Sequence, residues 1–232
     1  MAVMSSDQDH QSLHPNLITL NSRALVSLFT KIRDRDTTSK DFVNYSKRIM
    51  RLLAEEAIAV LPTIPYTVTT PTNVICDGQV SVADTNPDMV CAVSIIRAGD
   101  SLLESVREII PGIRVGKLWI QRNESSSAKE AVHSCTKLPK SIDKMNVILC
   151  DPMLATGGSS CAALSILVEE YGVDPGKIIF ANVICCPEGL VAVAKKFPLV
   201  KIVSCWVDPE MNGEKFIMPG LGDYGDRFFN TV

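Results

Sequence analysis

The run VILCDPMLATGGSS, Val147 to Ser160, decides how the rest of the chain is read. Val147 to Cys150 are apolar strand formers, Asp151 and Pro152 stop the run, and the small residues Ala155 to Gly158 turn the chain. Two serines then open an apolar-periodic segment from Cys161 to Val168, so the pattern predicts strand, loop, helix. Gly157 and Gly158 carry no Cβ, which lets the backbone take positive φ and come close to a ligand. Thr156, Ser159 and Ser160 add hydroxyls, and the first helical turn leaves N–H donors without partners. Those donors and the positive end of the helix dipole point the same way, which makes an anion site that a phosphate fits. Asp151 closes a buried strand where open α/β sheets place their ligands, and its carboxylate suits a ribose hydroxyl or a metal-bound water. The same residues also make an ordinary strand-to-helix turn with an N-cap that binds nothing. The loop has neither the lysine of a P-loop after its glycines nor a G-x-G-x-x-G.

Outward from that loop, strands and helices alternate. Met89 to Ile96 is a continuous apolar strand ending at Arg97, Ala98 and Gly99. Ser101 to Ile110 reads as a helix stopped by Pro111 and Gly112, and Val115 to Gln121 is a second strand ending at Arg122. Beyond the signature helix come a strand over Ile178 to Ile184, a helix over Pro187 to Lys196 and a strand over Val200 to Trp206. Strands buried on both faces and joined by helices predict an α/β fold: a mostly parallel sheet flanked by helices, with right-handed crossovers.

Two helices precede this core. One carries Leu25, Val26, Leu28, Phe29 and Ile32. The other starts at Thr38 with Ser39 and Asp41, buries Phe42, Tyr45, Ile49, Leu52, Leu53 and Ala57, and ends before Pro62. Between them KIRDRDTTSK gathers charge; a solvated connection is the favoured reading, and a nucleotide effector or subunit contact the sharper one. Short β-type runs between Tyr66 and Val82 predict an antiparallel flap turning at Asp77 and Gly78.

A chain of 232 residues holds one substantial domain with a small appendage, or at most two small domains. The expected division is a mobile tail over 1–15 and one domain over 16–232, with a core at about 85–207 and a C-terminal hood over 208–232. A net charge of -3 argues against nucleic acid as the main partner. No apolar run reaches the roughly 20 residues of a membrane span, and the opening MAVMSSDQDHQSLHP lacks the order of a secretory signal, so a cytoplasmic protein is expected. The eight cysteines include no C-x-x-C pair and read as small buried hydrophobes. His10, His14 and His133 fall in polar segments and are expected at the surface.

Arg97 and Arg122 each end a buried strand, where a guanidinium needs an anion or a carboxylate beside it; its fork matches phosphate oxygens, and an internal ion pair is the other use. With these residues in place the chain resembles the type I phosphoribosyltransferases, whose phosphoribosyl pyrophosphate (PRPP) signature is an acid closing a strand followed by ATGGS. DPMLATGGS, Asp151 to Ser159, is similar to the form found in the uracil phosphoribosyltransferase family. Most of the superfamily has two adjacent acids there, whereas this chain has Asp151 and Pro152, as the uracil branch allows. SIIRAGDS resembles that family's IVRAGES segment, which implies a pyrophosphate loop at Arg97; in related enzymes that loop often holds a non-proline cis peptide, which the sequence itself does not show. QRNESSSAKE resembles the QRDEET loop and carries over Arg122 and Glu124, with Asn123, Ser125 and Ser126 as departures; the polar stretch 123–139 is a candidate lid.

The tail FIMPGLGDYGDRFFNTV interleaves Gly220, Gly222 and Gly225 with Ile217, Leu221, Tyr224, Phe228 and Phe229, which favours docking over a free end. It closely resembles the PGLGDxGDR tail of the same family. The resemblance implies a uracil pocket at Ile217, Gly222, Asp223 and Tyr224, largely of backbone groups, with Asp223 also reaching PRPP or its metal. It further implies a PRPP site of Arg97, Arg122, Asp151, Pro152, Met153, Leu154, Ala155, Thr156, Gly157, Gly158, Ser159 and Asp223, with Arg97, Arg122, Asp151 and Asp223 as the catalytic set. Mg2+ would arrive on PRPP. A homodimer or homotetramer and a GTP effector are the further partners it raises. Fixed backbone groups that suit uracil leave buried groups unpaired against cytosine, at roughly 1 to 3 kcal/mol each. The implied reaction is uracil plus PRPP giving UMP and pyrophosphate. A purine phosphoribosyltransferase and a catalytically silent nucleotide-binding regulator are the alternatives, separated by the tail and by a UMP assay.

Overall fold

The structure is a computed structural model and describes residues 12–122 and 131–231, with the main chain alone at 121–122 and 131–134. The elements run β1 (Leu17–Thr19), α1 (Arg23–Arg33), α2 (Ser39–Ala59), β2 (Thr63–Thr69), β3 (Ile75–Ser81), α3 (Val82–Thr85), β4 (Val90–Ile96) and α4 (Gly99–Ile109). There follow β5 (Arg114–Arg122), β6 (Ala131–Lys137), β7 (Asn146–Cys150), β8 (Met153–Leu154), α5 (Gly158–Ser165), β9 (Ile178–Cys185) and α6 (Pro187–Lys196). The chain closes with β10 (Lys201–Val207), β11 (Glu210–Met211), β12 (Ile217–Met218) and α7 (Tyr224–Phe229).

The central sheet has the order β1-β10-β9-β7-β4-β5-β6. Every pairing along it is parallel except the edge pair β5–β6. Because side chains alternate across a strand, continuous apolar runs feed two cores at once. Ala92, Ile148, Ile179 and Ala181 enter the core covered by α1, α2 and α4, while Val93, Leu149, Ile178 and Phe180 enter the one covered by α5 and α6. The mostly parallel, two-sided sheet expected from the sequence is what forms.

Local chemistry sets the ends. Thr38 caps α2, its Oγ1 accepting from the Asp41 N–H at 3.2 Å, one residue before the Ser39 expected in that role. The flap forms, but its turn lies at 70–74, where the Thr70 N–H donates to the Val74 carbonyl at 2.9 Å and Asn73 takes φ 60°. Asp77 and Gly78 sit inside β3, opposite Thr67 and Tyr66, because a turn at 70–74 lets β2 and β3 pair over seven residues each.

His14 is not at the surface. It is fully buried against the end of the sheet, its Nδ1 accepting from the Asn16 N–H at 3.2 Å, and burial pulls its imidazole below the ordinary range. The polar context of His14 hid the fact that β1, which follows it, joins the sheet beside β10. His10 and the side chain of His133 lie outside the described residues. Of the cysteines, 91, 150, 185, 186 and 205 are buried, 161 is half-buried, and Cys76 and Cys135 are exposed.

Candidate active site

A cavity of about 230 Å³ opens where β4, β7 and the tail meet. Parallel strands end here in loops, so their C-terminal residues face a common space. Arg97 comes from the turn after β4, Asp151 from the end of β7, and Met153 with Ala155 to Ser160 from the loop and first turn of α5. Asp223, Tyr224 and Gly225 reach the same wall from the start of α7. The two stretches singled out in the sequence therefore converge.

The loop is shaped for an anion. Gly157, the N-cap of α5, takes φ 78°, and a Cβ there would meet the Ala192 Cβ at 3.0 Å. No side chain caps this helix, and Thr156 Oγ1 accepts from the Gly158 N–H at 3.3 Å. The loop and the first turn of α5 line the cavity, which sets the positive end of the helix dipole beside it.

Arg97 follows a cis peptide bond, Ile96–Arg97. Its guanidinium donates to Asp226 Oδ1 at 2.7 Å and Thr231 Oγ1 at 3.1 Å, and lies 5.3 Å over the Phe229 ring. The Thr231 hydroxyl and the Arg97 charge hold the Asp226 carboxyl below its usual range. Gly225 permits the approach, since a Cβ on it would stand 3.3 Å from Arg97 Nη2. Asp223 caps α7, its Oδ1 accepting from the Asp226 N–H at 2.9 Å.

Tyr224 turns its ring into the core, edge-on to Phe42 and stacked on Phe228, with its hydroxyl 3.6 Å from Met50 Sδ. Burial raises its phenol well above the ordinary range. What Tyr224 can offer the cavity is its main chain.

Four of the sequence-derived residues stand off this wall. Pro152 is buried, with its carbonyl accepting from Val183 and Ile184, and Leu154 is buried with its carbonyl accepting from Cys186. Ile217 is buried in the β11–β12 pair, opposite Met211. Gly222 lines a second cavity of about 360 Å³ with Arg33 and Arg227. The main chain of Arg122 ends β5, while its side chain, Glu124 and the departures at 123–126 lie outside the described residues.

A model of the uracil phosphoribosyltransferase family matches residues 19–231. The chain belongs to that family. A uracil phosphoribosyltransferase of Dictyostelium discoideum is 42% identical over 217 residues, covering 93% of this chain and 97% of that one. Among solved structures, the AQ2163 protein of Aquifex aeolicus superposes with a TM-score of 0.77 at 29% identity, over 92% of this chain and 97% of its own. An adenine phosphoribosyl transferase of Trypanosoma brucei, at a TM-score of 0.51 and 14% identity over 90% and 89% of the two chains, shares the fold.

The family signature has supports that sequence reading missed. Cys186 donates its thiol to the Ala155 carbonyl at 3.3 Å, and burial pushes that thiol up to about 12. Gly189 of α6 lies so close that a Cβ would come within 2.6 Å of the Ala155 carbonyl and 2.7 Å of the Leu154 carbonyl. Gly99 meets the Cys150 carbonyl in the same way, where a Cβ would stand at 2.2 Å. Prolines and glycines opening helices were the only signal available for these contacts.

Proposed function

We propose that the chain is a uracil phosphoribosyltransferase of pyrimidine salvage, a pentosyltransferase that joins uracil to the ribose of PRPP and releases pyrophosphate. The observation that carries this is the shared wall: Thr156 to Ser159 and Asp223 to Gly225 border one cavity, so a phosphate on the loop and a base beside the tail fit a single ligand. Uracil N1 forms a bond to ribose C1 as the C1–oxygen bond to pyrophosphate breaks, and the N1 proton leaves to solvent. The protein's part is positioning and electrostatics.

In this reading the amides of 155–159 and the Thr156 hydroxyl anchor the 5′-phosphate, and Asp151 holds the ribose hydroxyls. Arg97 and Arg122 offset the charge of the departing pyrophosphate, and Pro152, Met153 and Leu154 shape the loop. Asp223 and Tyr224 read the base through the main chain on the cavity wall, and the family resemblance adds Ile217 and Gly222, which stand outside that wall here. Among the described residues no group of three or more His, Cys, Asp or Glu could hold a metal, whereas Asp151 and Asp223 set two carboxylates on the wall. That donor set fits magnesium carried by PRPP, which binds through one or two carboxylates plus phosphate oxygens. The ion would supply further neutralisation of the pyrophosphate.

The protein is expected to act in the cytoplasm as a dimer or tetramer, with GTP as an effector. Among the described residues no helix is long and apolar enough to cross a membrane. The exposed Ile64, Tyr66, Val68 and Ile75 of the β2–β3 hairpin support self-association. Light scattering and a GTP titration of activity test these points. The function itself is tested by converting labelled uracil to UMP with PRPP and magnesium, using wild type and Arg97→Ala. UMP from the wild type and at least about a hundredfold less from the variant is expected; no UMP from the wild type would falsify the enzyme reading in favour of a silent regulator.

A further inference from the structure

The link between α1 and α2 is solvated as expected, with the Arg35 and Asp36 side chains 94% and 84% exposed, but Arg33 at the end of α1 is not a free charge. That guanidinium meets Asp208 with Nη1 at 2.8 Å and Nη2 at 2.6 Å, and Asp208 is 1% exposed. Both partners also hold one residue of the tail. Arg33 Nη1 donates to the Gly220 carbonyl at 2.7 Å, and Asp208 Oδ2 accepts from the Gly220 N–H at 2.8 Å. Gly220 is the residue that fits, since it takes φ +63° and a Cβ would lie 2.0 Å from the Ile217 carbonyl.

The grip is rooted at both ends. Asp208 follows β10 and donates its N–H to the Cys185 carbonyl at 2.8 Å, at the end of β9. Arg33 lies 5.2 Å from the Phe29 ring and 5.5 Å from that of Trp206. A second arginine repeats the arrangement one residue along. Arg227 donates to the Leu221 carbonyl at 2.7 Å and the Asp34 carbonyl at 2.6 Å, and also to the Ile32 carbonyl, with its guanidinium 4.3 Å over Phe42. The main chain of 220–221 is thus fixed from both sides immediately before Gly222, Asp223 and Tyr224.

We infer that Arg33 and Asp208 are positioning residues for base selection, holding the 217–224 main chain so that its donors and acceptors cannot turn to suit a second base. This rests on the reading of that segment as the uracil reader. Main-chain recognition discriminates only as well as the main chain is held: an amide free to reorient can satisfy cytosine as readily as uracil. A lysine would keep the charge at position 33 but lose the fork that meets two carboxylate oxygens and a carbonyl together.

The test uses the full chain with Arg33→Lys and, as a second variant, Asp208→Asn. Uracil and cytosine turnover are measured at saturating PRPP, PRPP dependence at saturating uracil, and hydrogen exchange of the 220–224 amides without substrate. For Arg33→Lys the KM for uracil is expected to rise about tenfold and the uracil-over-cytosine preference to fall about tenfold, with the KM for PRPP within about twofold of wild type. Amide exchange over 220–224 is expected to speed up at least about tenfold. A purely structural brace lowers both substrates' turnover together and leaves the preference unchanged; that result, or unchanged exchange, overturns the inference. Circular dichroism identifies a variant that fails to fold, and if Asp208→Asn does so, Arg33→Lys decides alone. Wild-type protein that makes no UMP overturns the transferase reading and the selectivity role with it, while the exchange data still show whether the grip on Gly220 exists.

Discussion

Arg97 Nη2 and Asp226 Oδ1 stand 2.7 Å apart, so an arginine on the cavity wall is steered by a carboxylate from the last helix. Asp226 takes the Thr231 hydroxyl at 2.7 Å as well, and its own N–H is capped by Asp223. The end of the chain thereby orients a residue more than a hundred positions earlier in the sequence.

Removing that carboxylate should cost substrate affinity more than stability. Asp226→Ala is expected to raise the KM for PRPP about threefold to tenfold and leave the KM for uracil within about twofold. Both partners are partly exposed, with side-chain accessibilities of 48% and 36%, so the melting temperature should move little. A change confined to uracil would contradict this role for Asp226.

The loop at 155–159 should tolerate no Cβ beneath it. In Gly189→Ala the new methyl meets two carbonyls under 3.0 Å, a clash that costs about 1–3 kcal/mol and displaces Ala155. A loop shifted by about 1 Å is expected to lower kcat/KM about a hundredfold. Gly172→Ala is the control, because a Cβ there meets nothing within 4 Å, although its φ of +70° adds modest strain. Equal activity in the two variants would rule out the packing argument.

The buried His14 gives stability a pH dependence of known sign. Burial holds its folded pKa below the ordinary 6.5, so the unfolded chain binds the proton first as pH falls. Its contribution is full above about pH 6.5 and is lost progressively below it, down to the depressed folded value. Urea unfolding at pH 7.5 and 5.5 should show a smaller loss in His14→Gln than in wild type; equal losses would place the titration elsewhere.

Much of this was legible because it is local. The runs at Val90–Ile96, Asn146–Cys150 and Ile178–Cys185 are apolar except at Ser94, Asn146 and Asn182 and are short and rich in β-branched residues, which marks strands buried on both faces, and Pro187 and Lys196 bound α6 as expected. The strand, turn and helix around 155–159 were legible because small residues and hydroxyls between two apolar runs mark a turn and a helix start. What stayed hidden was pairing at a distance. Nothing around Arg33 announces Asp208 or Gly220, nothing around Arg97 announces Asp226, and the polar neighbours of His14 argue against the burial it has. The flap turn failed for a simpler reason: Asp-Gly outranks Thr-Pro-Thr-Asn as a hairpin signal, yet placing the turn at 70–74 gives two strands of seven residues each.

The most direct measurement is a crystal structure of the chain with UMP. Its 5′-phosphate should sit on the amides of 156–159, its ribose hydroxyls on Asp151, and its uracil against the main chain of 217–224. A nucleotide whose phosphate lies elsewhere, or whose base leaves the tail untouched, would contradict the claim that these two stretches form one site.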